Sequence, residues 1–233
     1  MKVIILGSGT SQGIPIIGCK CKTCTSANPK DKRLRVSVYI DTGIQRENEN
    51  SSSGTLKLLI DTSPDFRQQM LVNKLDDIDA VLYTHHHIDH TADIGRIKAF
   101  SGSAIVAHRL SSIERDIEVV DGDILELGHL RIKVIHTPGH TGDGISLLID
   151  GKLLTGDTLF VGECGRTDLP DSSVEDMYHS LFSKLMRLED DIEVYPGHDY
   201  GPRPFSTIGE ERRTNYTLKG RSLKEFVEFM RTP

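Results

Sequence analysis

The sequence predicts an α/β protein arranged in layers, two groups of strands with helices between and after them. Three observations carry this reading. Short β-rich apolar runs, separated by turn residues, recur along most of the chain. Helical periodicity appears between and after them, clearest over Ser173 to Leu188, where Val174, Met177, Leu181, Leu185 and Leu188 form one stripe. Ligand-type side chains stand directly behind several strands, most densely at Thr84-His85-His86-His87-Ile88-Asp89-His90.

With 233 residues there is ample chain to bury a core, and the sequence reads as a single domain over 1–233. Its 37% hydrophobic and 27% charged residues are ordinary for a globular protein. A formal net charge of −6 gives no general basic excess of the kind that binds nucleic acid or anionic membranes. No apolar run approaches membrane-spanning length, and Met1 to Gly7 is too short for a signal peptide, so a cytoplasmic location is expected. Three of the four cysteines crowd into Cys19-Lys20-Cys21-Lys22-Thr23-Cys24. That spacing suits thiolate ligands in a reducing compartment better than disulfides.

Taken in order, Lys2 to Leu6 is the first strand and Gly7-Ser8-Gly9-Thr10 turns it. The glycines do not complete a dinucleotide fingerprint, because residue 12 is Gln and no helical pattern follows. The cysteine loop lies among Gly13, Pro15, Gly18 and Pro29. Lys30 to Arg35 is a charge run, read as solvated surface able to steer an anionic substrate. Val36 to Asp41 and Leu56 to Asp61 form a hairpin, and polar Gln45 to Gly54 between them reads as a flexible loop. Asp65 to Lys74 is a short amphipathic helix with Pro64 near its start and Asp65 as its cap. Ala80 to Tyr83 is a strand and Ala92 to Phe100 a helix. Ala104 to Ala107, Ile117 to Val120, Ile124 to Leu127 and Leu130 to Ile135 are short strands separated by Gly/Asp turns. Ile145 to Ile149 and Leu153 to Thr155 form a hairpin around Asp150-Gly151. Ile192 to Tyr195 is the last strand, and Ile208 to Tyr216 and Ser222 to Met230 are closing helices.

In an extended segment alternate residues share a side, so His85, His87 and Asp89 project together. A helix beginning at Asp89 would bring His90 to the same space. Imidazole and carboxylate suit zinc, iron and manganese. Three more turns place such residues at strand ends: His136-Thr137-Pro138-Gly139-His140, Thr155-Gly156-Asp157-Thr158 and Tyr195-Pro196-Gly197-His198. The thiolates of Cys19, Cys21 and Cys24 need a distant His or Cys to close a tetrahedral structural zinc site. His86, His108, His129, His136 and His179 fall outside the pattern and read as surface or structural histidines.

The series His85-x-His87-x-Asp89-His90, then His140, Asp157 and His198, resembles the metallo-β-lactamase superfamily over essentially the whole chain. The resemblance implies an αββα sandwich with its site at one edge between two sheets. It implies His85, His87 and His140 around one divalent metal, Asp89, His90 and His198 around a second, and Asp157 bridging them. Zinc is the expected metal, with iron or manganese as alternatives. Two such cations sharing a hydroxide provide a nucleophile at neutral pH. Asp89 is then the expected catalytic group, orienting the hydroxide and relaying a proton to the leaving group.

The two halves resemble different members. From about residue 104, the segments His136 to Gly142, Thr155 to Phe160, Cys164 to Asp168 and Tyr195 to Tyr200 are similar to glyoxalase II-like thioester hydrolases and to persulfide dioxygenases. That likeness implies Arg166 as a contact for an acidic thiol carrier. The first hundred residues, through Gly7 to Ser11, the cysteine loop and Ile60 to Arg67, resemble cyclic phosphodiesterases of the phosphonate-utilisation type. There the cysteines would bind a structural zinc with a late histidine. No histidine follows His198 here, which leaves Cys164 as a substitute. The likenesses meet near residues 93–104, as in a natural mosaic or an engineered fusion. The expected activity is metal-dependent hydrolysis of a small-molecule thioester, of the hydroxyacylglutathione hydrolase kind. A phosphodiesterase, a mononuclear-iron persulfide dioxygenase and an inactive scaffold are the alternatives.

Overall fold

The computed structural model describes residues 1–46 and 54–231. The expected loop from Gln45 to Gly54 falls largely outside them. Six strands form the first sheet: β1 (Lys2–Gly7), β2 (Ser37–Gln45), β3 (Thr55–Ile60), β4 (Ala80–Leu82), β5 (Ala104–His108) and β6 (Ile117–Val119), in that spatial order. β1–β3 are antiparallel, and β3–β6 run parallel, with helices on the β3–β4 and β4–β5 connections. The second sheet runs from β7 (Ile124–Leu127) through β8 (Leu130–His136), β9 (Ile145–Ile149), β10 (Lys152–Gly156) and β11 (Glu193–Pro196) to the short β12 (Ser206–Thr207). Only β10 and β11 pair in parallel within it.

Alternation along the strands makes the layers. Val38, Ile40, Leu58, Ile60 and Leu82 of the first sheet pack against Ile132, Val134, Ile145, Leu147 and Leu154 of the second in one buried cluster. Leu59, Val81 and Ile105, on the other face of the first sheet, meet Phe66 and Met70 of α1 (Phe66–Asn73) and Ile97 of α3 (Ile94–Ser101), the single-turn α2 (Ile88–Thr91) lying between those helices in sequence. On the far side, Leu153 and Val194 meet Met177 of α4 (Val174–Tyr178), Ile208 of α5 (Ile208–Thr214) and Phe226 of α6 (Leu223–Met230). The result is the expected αββα sandwich. Leu147 is fully buried between the sheets. Leu147→Ala should therefore cost about 2–5 kcal/mol of stability, read as a lowered midpoint in denaturant unfolding.

Two local expectations are corrected. Asp65 precedes α1 but makes no capping bond. Its carboxylate instead takes the Arg35 backbone N–H at 2.9 Å and the guanidinium at 3.1 Å, which ties the charge run to the helix. The stripe from Val174 is not one uniform α-helix: α4 widens into a π segment over His179–Lys184 and ends in a 3₁₀ turn, Leu185–Arg187. Met177, Leu181 and Leu185 are spaced by four residues, which drifts around a 3.6-residue turn; the wider turn keeps them on one buried face. Among the described residues no helix is long and apolar enough to cross a membrane.

Candidate metal centre

Both sheets deliver ligand-type side chains to one edge. β4 ends two residues before Thr84, and the chain then carries His85 and His87 in extended backbone before α2 lifts Asp89 and His90. His140 sits in the β8–β9 connection, Asp157 directly follows β10, and His198 follows β11. Seven expected ligands converge: His85, His87 and His140 form one donor group, Asp89, His90 and His198 another, and Asp157 groups with His85 and His90.

The distances decide whether this is a histidine-rich core or a cation site. His87 Nδ1 lies 3.2 Å from His85 Nε2 and 3.1 Å from His140 Nε2. Asp157 Oδ2 is 3.6 Å from His140 Nε2 and 3.2 Å from His198 Nε2, while its Oδ1 is 3.5 Å from His90 Nε2. His198 Nε2 is 3.5 Å from Asp89 Oδ2. Ligands bonded at about 2.1 Å on a tetrahedron stand about 3.4 Å apart, so these separations match those between ligands of one cation. His90 Nε2 and Asp157 Oδ1 are buried without hydrogen-bond partners. Such orphaned atoms are costly unless an ion takes them. The residues fit a divalent-cation centre.

The outward nitrogens are held from behind. His85 Nδ1 meets Thr84 Oγ1 at 3.0 Å, His90 Nδ1 meets Asp61 Oδ2 at 2.8 Å, His140 Nδ1 donates to the Arg166 carbonyl at 2.9 Å and His198 Nδ1 to the Gly9 carbonyl at 2.7 Å. A carbonyl only accepts, so in the neutral rings of His140 and His198 the lone pair is on Nε2, facing the centre. Gly165 and Gly197 are required by close approach: a Cβ would lie 1.9 Å from the Asp157 carbonyl at Gly165 and 2.5 Å from Asp157 Oδ1 at Gly197.

Burial pushes His85 and His87 below the usual histidine range. For His90 burial opposes the charge, but Asp61 and Asp157 outweigh it and lift the ring to about 9. Asp157 resists burial in the same way, held well below the usual carboxylate range by His198 and His90. His90 in the metal-free protein is therefore protonated at neutral pH and must shed a proton to bind an ion. Metal uptake at pH 7 should release at least that proton, seen by calorimetry in buffers of different ionisation enthalpy. Affinity should climb as pH rises towards about 9. The sign for stability is opposite: a raised folded pKa contributes fully below the unfolded value, about 6.5, and is lost as pH rises through about 9. The metal-free fold should accordingly melt lower at pH 9 than at pH 6.

Sequence reasoning missed the residues behind the ligands. Asp61 is the chief one: left-handed at φ 57°, 1% exposed, it accepts from Thr84 N and Thr84 Oγ1, both at 2.7 Å, as well as meeting His90. A signal existed in the polar Asp-Thr-Ser turn closing a buried strand. The Gly9 and Arg166 carbonyls carry none. Arg166 lines a cavity of about 730 Å³ together with Cys164, Asp168, Tyr216 and the end of α6. Its guanidinium is taken by Asp168 at 2.5 and 2.6 Å. Cys19, Cys21 and Cys24 do come together, and hydrogen bonding from the Cys24 backbone, then Cys19, brings the Cys21 thiol down to about 7. Cys164 does not join them: it packs in the α4–α6 core, 3.9 Å from Met230 Sδ. Of the charge run, Arg33 pairs with Asp199 beside His198 and Arg35 with Asp65, so both serve the fold.

The description "Beta-lactamase superfamily domain" matches residues 57–178, a span that crosses 93–104. The chain belongs to this family, the metallo-β-lactamase superfamily of metal-dependent enzymes. It is similar to the hydroxyacylglutathione hydrolase of Maricaulis maris, 38% identical over 142 residues, 56% of this chain and 54% of that one. Among solved structures, ETHE1 from Myxococcus xanthus has a TM-score of 0.73 at 32% identity, covering 85% of each chain. A diphosphatase from the PhnP family has a TM-score of 0.52 at 28% identity, covering 74% of this chain and 68% of that one. The chain spans 59% of the length of the mammalian persulfide dioxygenases it matches and 54% of that of the Maricaulis maris hydrolase.

Proposed function

We propose that the protein hydrolyses a small-molecule thioester, with His85, His87 and His140 holding one divalent cation, Asp89, His90 and His198 a second, and Asp157 shared between them. The observation that supports this is the shared carboxylate, whose two oxygens face imidazoles of both groups at 3.2–3.6 Å. When bound, the cation pair lowers the pKa of water and polarises the carbonyl under attack. Asp89 accepts the proton of the attacking water at Oδ2 and passes it to the leaving sulfur. The Cys164–Asp168 turn couples cavity to centre, because the Arg166 carbonyl orients His140 while its guanidinium stands at the cavity. Arg166 exchanges Asp168 for a carboxylate of the thiol carrier, a bidentate contact that suits its planar fork. The cysteine loop holds a structural zinc through Cys19, Cys21 and Cys24. The two halves act as one domain, since the inter-sheet core draws on both.

A second reading, a persulfide dioxygenase with one iron, is favoured by the likeness to ETHE1 over 85% of the chain. One sample separates them. Its metals are measured, and it is assayed on S-lactoylglutathione, on bis-p-nitrophenyl phosphate, and on glutathione persulfide with an oxygen electrode. Thioester hydrolysis with two ions in the centre is expected. One iron with oxygen uptake, or phosphodiester cleavage alone, overturns the proposal.

A further inference from the structure

We propose that the loop over residues 15–32 binds a small acidic thiol. Cys19, Cys21 and Cys24 supply three donors to a zinc ion, the sulfur of the thiol supplies the fourth, and lysines of the loop meet its carboxylates. This rests on the proposed loop zinc and adds its ligand, whatever the reaction at the buried centre. The loop is a closed unit. Ile14 and Arg33 exchange two backbone hydrogen bonds, both 2.9 Å, so residues 15–32 start and end at one place. Inside it the chain turns tightly enough to gather the thiols: Cys19 N donates to the Ile16 carbonyl at 3.1 Å and Thr25 N to the Cys21 carbonyl at 3.0 Å. The three sulfurs lie within 4.8 Å of one another. Sulfurs bonded to zinc at about 2.3 Å stand about 3.8 Å apart on a tetrahedron, so the group fits the ion with little rearrangement. Two backbone N–H groups already point at sulfur, Ile16 N at Cys24 Sγ and Cys24 N at Cys21 Sγ, each at 3.4 Å. Such donors favour the thiolate, the form that binds the ion.

Three thiolates leave a tetrahedral zinc one donor short, and the described chain does not provide it. No fourth His, Cys, Asp or Glu among the described residues joins the group, and Cys164 is held in the α4–α6 core. Cys21 is exposed and Cys19 half-buried, so a solute reaches the sulfurs. A sulfur-rich shell favours a fourth sulfur over a water oxygen. A dication with three thiolates also carries a net negative charge, which repels an anion unless cations stand nearby. The loop supplies them. Lys20, Lys22, Lys30 and Lys32 all lie within it, with Asp31 as its single acidic residue, in a protein whose formal net charge is −6. All four lysines are exposed, and none pairs with a carboxylate among the described residues. The arginines that follow differ, Arg33 being taken by Asp199 and Arg35 by Asp65. Thiolates beside unpaired cations select a thiol that carries carboxylates, the class of leaving group that the proposed hydrolysis releases.

The test exchanges cobalt into the purified protein without oxygen and titrates it with glutathione, then with 2-mercaptoethanol as an uncharged thiol. The sulfur-to-cobalt charge-transfer absorption is followed, and metal content is measured in the wild type and in Cys19→Ser/Cys21→Ser. The wild type should hold one more metal ion than the double variant. Glutathione should raise its charge-transfer absorption by about one third, as a fourth sulfur joins three. The double variant should show no such rise, which separates the loop from thiol binding at the buried centre. Lys20→Glu/Lys22→Glu changes only exposed positions and keeps the cysteines, so it serves if the cysteine variant fails to fold; it should weaken glutathione binding about ten-fold at low salt. Equal metal in the wild type and the cysteine variant would remove the loop zinc and the thiol site with it. Loop metal that glutathione leaves unchanged, the same rise in the cysteine variant, or glutathione binding no tighter than 2-mercaptoethanol or undiminished in the lysine variant would overturn the thiol site alone. None of these readings depends on thioester turnover.

Discussion

Asp157→Ala should strip the centre of its ions and lower hydrolysis by on the order of 10³-fold or more. The effect is large because this carboxylate has no substitute. Its oxygens are the anionic atoms 3.2–3.6 Å from the Nε2 atoms of His90, His140 and His198. Without it, a group of neutral imidazoles and a group with one carboxylate, Asp89, must bring two dications close together with less charge to offset their repulsion. The fold should survive, since the Asp157 side chain lies outside the three apolar clusters. Elemental analysis beside a thermal melt checks both parts. Full metal content in the variant would remove the reason for regarding the two groups as one centre.

The second large effect is expected at Asp61. Asp61→Asn keeps a residue type that tolerates the left-handed φ of 57° but removes the charge facing His90 Nδ1 at 2.8 Å. Loss of such an orienting carboxylate typically costs 10–100-fold in metal affinity. The larger loss should fall on the Asp89–His90–His198 group, which Asp61 touches directly, and a smaller one on the His85–His87–His140 group, which it reaches only through Thr84 Oγ1. A metal titration resolving two binding steps separates them. Asp61→Ala should also destabilise the fold, by about 3 kcal/mol or more, because buried Thr84 and His90 lose their shared acceptor.

These expectations show which parts of the molecule its sequence discloses. The layers were legible because Leu58 and Ile60 face the second sheet while Leu59 faces the helices, an alternation that one-dimensional patterning carries directly. The ligands were legible because imidazoles and carboxylates followed strands, and a strand end can project them to a common edge. Contacts made by backbone were not. Nothing in Gly9 or Arg166 as letters says that their carbonyls orient His198 and His140. Competition between partners was also hidden. Asp65 had a free helix end to cap and took Arg35 instead, a charged donor worth more than a neutral N–H. Cys164 had the right chemistry for the cysteine loop but the wrong place, since Met230 and the α4–α6 core surround it. The contact of His198 with Gly9 joins the last ligand to the first turn, 189 residues apart, a separation no local pattern can report.

Two cations are proposed to flank one carboxylate, that of Asp157. Anomalous diffraction from crystals of the metal-loaded protein, collected at the absorption edge of the bound metal, tests this most directly. Two peaks are expected on either side of Asp157, one among His85, His87 and His140, the other among Asp89, His90 and His198. A single peak there, or none in a protein shown by elemental analysis to carry metal, would contradict it.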